Sequence, residues 1–115
     1  MPVRTKETAA DRLFSALANP TRRDILDALM TGSRTAGQLA SGFDMARPSV
    51  SEHLRMLRLA GLVTERREGR TLVYDVAPEP LAEVGQWLSP YERFWRGKLR
   101  GLGAVLDSMN DQEDP

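Results

Sequence analysis

The residue types best suited to chemistry fall within one stretch, TAGQLASGFDMARPSVSEHLRMLRL, residues 35–59. Thr35 and Gln38 have the spacing of a capping box, which predicts a short helix from Ala36 to about Ser41. Gly42 is placed to end that helix. Arg47-Pro48 then opens another helix, because proline is tolerated in a first helical turn. The stretch therefore predicts two short helices joined by a tight turn.

The second of these helices has two different faces. Val50, Leu54 and Leu57 recur at i, i+4 and i+7 and form an apolar stripe. The opposite face is small, polar and basic, and it holds Arg47, Pro48, Ser51, Glu52 and Arg55. Short serines allow close approach to bases and phosphates, and arginine makes bidentate contacts to guanine or phosphate. An ordinary solvated face is the alternative, but a helix-turn-helix places such a face in the major groove of DNA.

After Gly61 the apolar residues alternate with polar ones, which predicts strands over Val63–Arg67 and Thr71–Val76. Leu72, Tyr74 and Val76 are predicted to face one way, and residues 68–70 form the tip of an isolated two-stranded hairpin. A basic tip suits a DNA backbone or minor groove, although a charged tip is also what solvated hairpins have. Arg58 is predicted to cover the helix or to pair with a glutamate.

DNA contacts are predicted on the short capped helix, on the polar helix face and on the hairpin. The predicted residues are Gln38, Arg47, Ser49, Ser51, Glu52, His53, Arg55, Arg66, Arg67 and Arg70. Two roles stay open. Glu52 either accepts a hydrogen bond from a cytosine amino group or orients an arginine. His53 lies at the edge of the apolar stripe, so it is either a wall residue hydrogen-bonded within the fold or a DNA contact.

Two helices are predicted before this stretch. The first carries Leu13, Phe14 and Leu17 at helical spacing, with Thr8 as its cap, and follows a mobile arm over residues 1–7. The second begins at Asn19-Pro20, because asparagine accepts free amide protons and proline at the first position loses no hydrogen bond. Gly32 is predicted to stop it.

The carboxyl-terminal part is predicted to form two helices, one from about Glu79 to Leu88 and another, after a break at Ser89-Pro90, to about Met109. Their apolar stripe is rich in aromatic residues and exceeds what one small domain can cover, which indicates self-association. The alternative is that these helices fold back over the first helix of their own chain. The predicted dimer interface comprises Leu13, Phe14, Leu17, Trp87, Leu88, Tyr91, Phe94, Trp95, Leu102 and Val105.

Composition excludes several classes of protein. The 115 residues include no cysteine and one histidine, which excludes disulfides and thiolate metal sites, and no metal or other cofactor is predicted. Neither Glu52 nor Ser49 has a third partner to orient it with His53, so we expect no enzyme. No apolar run is long enough for a signal peptide or a membrane span, which predicts a cytoplasmic protein that does not bind membranes.

Charge is divided unevenly although the formal net charge is zero. Residues 47–70 hold six arginines and three glutamates, net +3, and residues 79–115 hold four basic and seven acidic residues, net −3. Such a division lets one region meet phosphates, although it also arises by chance. The predicted organisation is a DNA-binding region over 1–77, dimerisation helices of the same compact domain over 78–109 and a disordered acidic tail over 110–115.

The segments ALANPTRRDIL, TAGQLA, RPSVSEHLRMLRLAGLV and REGRTLVYDV resemble the ArsR/SmtB family of bacterial winged-helix repressors, over residues 13–76. The resemblance implies a winged helix-turn-helix, mainly α with a small β-hairpin wing (α+β), in a homodimer held by its first and last helices. It also implies repression by binding double-stranded DNA at an imperfect palindrome, with two recognition helices in successive major grooves. A small-molecule inducer, here unidentified, weakens DNA binding in such proteins.

Three departures from the family pattern qualify the resemblance. The place where metal-sensing members carry a cysteine pair here reads TAGQLA, and the last helix has no histidine. Metal response through the known family sites is therefore excluded. The tail WLSPYERFWRGKLRGL resembles a branch of the family that lacks metal ligands. Ala46 stands where a serine commonly caps the recognition helix, so the cap must come from Asp44 or from DNA.

The sequence thus predicts a sequence-specific DNA-binding transcriptional regulator that acts as a repressor. The alternative is a protein-interaction module that keeps the winged-helix fold and holds a partner through its aromatic carboxyl-terminal helices. Neutral net charge favours the alternative, whereas the serine and arginine face favours DNA.

Overall fold

The computed structural model describes residues 7–113, with side chains as far as residue 109. The predicted mobile arm therefore lies outside the described residues apart from Glu7. The fold is mainly helical with a small antiparallel sheet, as the sequence predicts. Its elements in chain order are α1 (Ala9–Ala18), α2 (Pro20–Met30), β1 (Arg34–Thr35), α3 (Ala36–Gly42), α4 (Arg47–Leu59), β2 (Val63–Glu68), β3 (Thr71–Val76) and α5 (Pro78–Glu113).

Local capping interactions fix where the first three helices begin. Thr8 and Asp11 form a reciprocal capping box at α1, and Thr35 and Gln38 form another at α3. The Asn19 side chain accepts a hydrogen bond from the first turn of α2 at 3.0 Å. Each bond satisfies an amide that has no partner inside its helix. All three predicted caps are confirmed.

The sheet has three strands in the order β1-β3-β2, so the prediction of an isolated two-stranded hairpin is wrong. The short β1 pairs with β3 through Arg34↔Tyr74 and Thr35↔Val73. Two residues carry no alternation that a sequence pattern can detect, and their pairing depends on the packing of distant segments. The extra strand joins the hairpin directly to the start of α3.

The hairpin is confirmed, but its tip is one residue shorter than predicted. Glu68 belongs to β2 and lies opposite Thr71, and Gly69 in the tip is left-handed at φ 62°. Leu72, Tyr74 and Val76 lie on one face of β3, because side chains alternate along a strand, but burial does not follow that face. Leu72 is 37% exposed, whereas both Val73 and Tyr74 are buried. The midpoint of β3 is therefore covered on both faces, whereas Leu72 is exposed on the face that it shares with Tyr74.

The chain divides into two compact units, one as far as Leu81 and the other from Ala82 onward. In the first unit, the largest fully buried side chains come from α2, from α4, from β2 and from the turn that joins α4 to β2. They are Ile25, Val50, Leu54, Leu57, Leu62 and Val63. The apolar stripe of α4 is therefore part of the core.

The carboxyl-terminal helix α5 is continuous from Pro78 to Glu113 and contains Pro90, so the predicted break at Ser89-Pro90 is wrong. Instead of capping a helix, the Ser89 hydroxyl accepts a hydrogen bond from Arg93 at 3.1 Å. An internal proline costs about 3 kcal/mol through one lost hydrogen bond and a steric clash. Continuation keeps the apolar residues before and after Pro90 on a common helical face.

The end of α5 also differs from the prediction of an acidic disordered tail over residues 110–115. The helix extends through residues 110–113, and residues 114 and 115 lie outside the described part of the chain. Within residues 7–113, no helix is both long enough and apolar enough to cross a membrane.

We expect Leu54→Ala to lower the free energy of unfolding by about 2–5 kcal/mol, because the truncation leaves a cavity in a tightly packed core. Leu54 is 1% exposed. Urea unfolding at fixed protein concentration measures the change. The matched control is Leu59→Ala on the same helix, where the side chain is 55% exposed and the expected change is below about 0.5 kcal/mol. Equal losses in the two variants would contradict the packing described for α4.

Candidate nucleic-acid interface

The polar face of α4 is exposed, as the sequence predicts. Val50, Leu54 and Leu57 are buried, and this fixes the rotation of the helix about its axis. The exposed side chains on the outer face are Arg47, Ser49, Ser51, Glu52 and Arg55. A helix presented in this way after a short preceding helix has the form of a recognition helix.

The start of α4 has no side-chain cap. Ala46 occupies the N-cap position, and no side chain hydrogen-bonds to the first turn. Asp44, one of the two predicted sources of a cap, instead adopts a left-handed conformation at φ 52° in the turn before the helix. The prediction of an Asp44 cap is therefore wrong for the protein alone, because the turn that Asp44 forms does not bring its carboxylate to the helix amides.

Two of the arginines on α4 pair with carboxylates. Arg55 lies 3.5 Å from Glu52 on the exposed face, which is the arrangement expected if Glu52 orients an arginine. Arg58 lies 2.6 Å from Glu65 on β2, which confirms the prediction that it pairs with a glutamate. The second pair joins the last turn of α4 to the hairpin. Exposed pairs of this kind add little stability, but they restrict where the arginines point.

Arg66 on the hairpin is held by two carboxylates. Its guanidinium pairs with Glu68 at 3.0 Å and with Asp75, and these hydrogen bonds raise the pKa of Arg66. Asp75 also accepts a hydrogen bond from the Ser33 hydroxyl, 42 positions earlier in the chain. The Ser33 hydrogen bond is the main cause of a lowered pKa at Asp75, and Arg66 contributes to it. This cluster ties the hairpin to the turn before β1.

The other two hairpin arginines differ from Arg66. Arg67 and Arg70 are exposed, and within residues 7–109 neither forms an ion pair with a carboxylate. Of the three predicted hairpin contacts, these two present guanidinium groups that are not already paired. The sequence did not distinguish them, because Asp75 and Ser33 approach Arg66 only in the folded chain.

A groove of about 230 Å³ lies between α4 and the hairpin. Arg47 and Ser51 line it from α4, and Arg70 and Thr71 line it from the hairpin; the remaining lining residues are Ala36, Leu72 and Tyr74. Burial, with a further contribution from the charge of Glu65, raises the pKa of Tyr74. Sequence reasoning assigned Thr71 and Tyr74 only to a strand, because nothing in a strand pattern indicates that a helix packs beside it.

Gln38 and His53 occupy the edges of this surface. Gln38 is exposed, and its side-chain oxygen accepts from the Thr35 amide at 2.9 Å, so the capping role is confirmed. His53 is half-buried, and its Nδ1 is buried with no hydrogen-bond partner in the described chain. The alternative in which His53 is hydrogen-bonded within the fold is therefore not supported at Nδ1. DNA contact by either side chain stays a prediction.

The predicted dimer residues lie on two helices, α1 and α5. Leu13 is 3% exposed and belongs to the core of its own chain, so the prediction that it lies in the interface is corrected: its surface is already covered. Leu17 is half-buried and Phe14 is exposed. On α5, between 51% and 71% of each predicted side chain is exposed; these are Trp87, Leu88, Tyr91, Phe94, Trp95, Leu102 and Val105.

The described residues contain no group of three or more histidine, cysteine, aspartate or glutamate side chains placed to hold a metal ion. The surface that the fold presents is thus a polar, basic helix face beside a β-hairpin. A helix-turn-helix with a hairpin attached in this order is a winged helix-turn-helix, a class of DNA-binding protein.

Comparison with known proteins places the chain within that class. Residues 19–65 match the family described as "Bacterial regulatory protein, arsR family". The chain is 40% identical over 101 residues to the HTH-type transcriptional regulator Rv2034 of Mycobacterium tuberculosis, covering 88% of this chain and 92% of that protein. The chain therefore belongs to the ArsR family, whose members are transcriptional regulators and not enzymes.

Other proteins are similar to the chain in sequence or in structure. It is 36% identical over 78 residues to the transcriptional repressor SdpR of Bacillus subtilis, covering 68% of this chain and 87% of that protein. It is also similar to the homodimeric winged helix-turn-helix DNA-binding domain of Mb0332 from Mycobacterium bovis, solved by NMR. That likeness has a TM-score of 0.62 at 33% identity and covers 74% of this chain and 79% of that structure.

We expect Asp75 to stabilise the folded chain in a pH-dependent way. Its pKa lies below the ordinary value of 3.8 in the folded state, so its contribution is present above that pH and is lost as the pH falls through the lowered pKa. The difference in unfolding free energy between wild type and Asp75→Asn should therefore be constant near neutral pH and shrink in the acid range below 3.8. Urea titrations across this range at fixed protein concentration measure it.

A second variant, Ser33→Ala, removes the hydroxyl that donates to Asp75 and should reduce the same acid-range change. If Asp75→Asn and wild type lose stability in parallel below pH 3.8, the Ser33 and Arg66 contacts do not hold the carboxylate in its charged form.

Proposed function

We propose that this protein is a homodimeric transcriptional repressor that binds an imperfect palindromic operator in the bacterial cytoplasm, with α4 in the major groove and the hairpin on the backbone or minor groove. The observation that carries the proposal is the exposed serine and arginine face of α4, fixed opposite three buried apolar side chains. Ser49, Ser51, Glu52 and Arg55 have the donors and acceptors that read base edges. Membership of a family of regulators supports the same function.

The exposed stripe of α5 supports a dimer. The seven predicted interface side chains on α5 are more than half exposed in a single chain, and contiguous apolar surface of this kind marks an interface. The likeness to a domain described as homodimeric favours a second copy of this chain as the partner. A two-fold dimer places its recognition helices about 34–36 Å apart, one turn of DNA, which is why a palindrome is proposed.

Regulation of this repressor would not use the metal sites known in the family. The chain has no cysteine and one histidine, and thiolate or multi-histidine coordination requires more. An inducer, if it acts by the usual linkage, favours a dimer shape whose recognition helices no longer match successive grooves.

The function is tested with a duplex that the wild-type protein selects from a randomised pool, compared with a scrambled duplex by fluorescence anisotropy over a salt series. We expect tighter binding to the selected duplex, two chains per duplex and weakening with salt. Failure to select any duplex, with equal weak binding to all, would contradict the repressor and favour the protein-interaction module, which the zero net charge supports.

In the same assay, Arg47→Ala combined with Arg55→Ala should lower affinity for the selected duplex by at least about tenfold, because each guanidinium contact to a base or phosphate is worth roughly 1–3 kcal/mol. The matched control is Arg93→Ala with Arg100→Ala, which removes the same charge from the side of α5 away from Tyr91 and Trp95. The control should bind nearly as tightly as wild type. If the variant with both α4 substitutions kept its affinity, the polar face of α4 would not be part of the DNA interface.

Trp95→Glu should convert the protein to a monomer at low micromolar concentration, because dimerisation would bury an unpaired carboxylate. Trp95 is 62% exposed in the single chain, so the substitution leaves the core of the chain untouched. Size-exclusion chromatography with light scattering measures the mass, and circular dichroism confirms that the fold is kept. Arg93→Glu, which places the same carboxylate away from the stripe, is the control and should remain dimeric. A Trp95→Glu dimer as tight as wild type would exclude the α5 stripe from the interface.

A further inference from the structure

The groove between α4 and the hairpin is lined by two arginines, three hydroxyl-bearing side chains, Ala36 and Leu72, and by no carboxylate. Arg47 and Ser51 line one wall, Arg70 and Thr71 line the other, and Tyr74 is buried at 9% exposure. Two guanidinium groups on opposite walls without an acidic neighbour in the lining create a site for a negatively charged group. Guanidinium groups bind phosphate oxygens through charge-assisted hydrogen bonds.

The arginines of this groove differ from others on the same surface in what they already contact. Arg55 is paired with Glu52, and Arg66 is paired with Glu68 and Asp75. Within residues 7–109, Arg47 and Arg70 form no such pair. An anion that enters the groove therefore does not need to displace a carboxylate from either guanidinium.

The position of the groove indicates what passes through it. A recognition helix lies in the major groove of DNA and a wing lies against the backbone or the neighbouring minor groove. The sugar-phosphate strand is what separates those two grooves, so a cleft between helix and wing must straddle that strand. At about 30 Å³ per water, a volume of about 230 Å³ also has room for a phosphate with several ordered waters.

We propose that this groove binds one phosphodiester group of the DNA backbone, with Arg47 and Arg70 contacting its oxygens from opposite walls. The proposal rests on the proposed function and gives Arg47 a more specific role. Arg47 fixes the register of the protein on DNA and does not read a base, whereas Arg55, outside the groove, faces the base edges.

The first experiment compares Arg47→Ala with Arg55→Ala on the selected and scrambled duplexes over a salt series. Loss of a phosphate contact should weaken binding to both duplexes by the same factor, leave their affinity ratio unchanged and reduce the salt slope by about 1. Loss of a base contact should lower the ratio, which is the result expected for Arg55→Ala. A fall in the ratio for Arg47→Ala would overturn the proposal. A wild-type ratio of one would contradict the proposed function instead, so the two failures are distinguishable.

The second experiment is a double-mutant cycle. If Arg47 and Arg70 hold the same phosphate, removing either loosens it, and the combined loss of affinity should be smaller than the product of the two single losses. Arg67 lies on the same hairpin but does not line the groove, so Arg47→Ala and Arg67→Ala should combine independently. Independent effects in both pairs would mean that Arg47 and Arg70 contact separate phosphates, which overturns the proposal. Unchanged thermal unfolding shows that each variant is folded.

A free phosphate has the same chemistry as a phosphodiester, and a third measurement separates the two sources. Titration of wild-type protein with inorganic phosphate, followed by the amide resonances of Arg47 and Arg70, should show no saturable binding below the concentration at which general ionic effects appear. A DNA phosphate is positioned by the many other contacts of the duplex, and a free ion is not. Saturable binding of inorganic phosphate with unchanged duplex affinity in Arg47→Ala would assign the groove to a free anion and overturn the proposal.

Discussion

The burial of the apolar stripe of α4 is the interaction on which the rest of the structure depends. Val50, Leu54 and Leu57 are almost inaccessible, and burial of such side chains is worth about 1.5–3 kcal/mol each. Rotation of the helix would expose them and bury polar groups without partners. The outward face, with its serines and arginines, is therefore fixed by the inward one. Because the surface helix is anchored by the core, its polar side chains are presented in one orientation before any DNA is bound.

The arginines around this helix divide into those that hold the surface together and those that remain available. Arg58 connects α4 to β2 through Glu65, and Arg66 connects the hairpin through Asp75 to the turn that contains Ser33. Together with the β1-β3 pairing, these contacts restrict the hairpin relative to the recognition helix. A guanidinium that already has a carboxylate partner gains less from a phosphate, since the first partner must be displaced. Position in sequence alone does not separate these two groups of arginines.

The carboxyl-terminal helix α5 carries apolar surface that the single chain does not bury. A chain of 115 residues buries a limited share of its apolar surface, and the aromatic stripe of α5 is left exposed in the single chain. The helix continues through Pro90, and this continuity keeps the apolar residues before and after the proline on one face. A long stripe of this kind offers a second copy an extended surface, and the similar domain of Mb0332 is described as homodimeric.

The sequence by itself determined the caps of α1, α2 and α3, the amphipathic face of α4, the hairpin and the family, because each depends on residues a few positions apart. Thr35 with Gln38 is an example, since the capping bond closes within one turn. Only the tertiary structure decided the pairing of β1 with β3, the burial of Leu13 and the bond from Ser33 to Asp75, 42 positions away. It also decided that α4 and the hairpin form a groove between them. Local patterns carry no information about such contacts, because they arise when distant segments pack around a shared core.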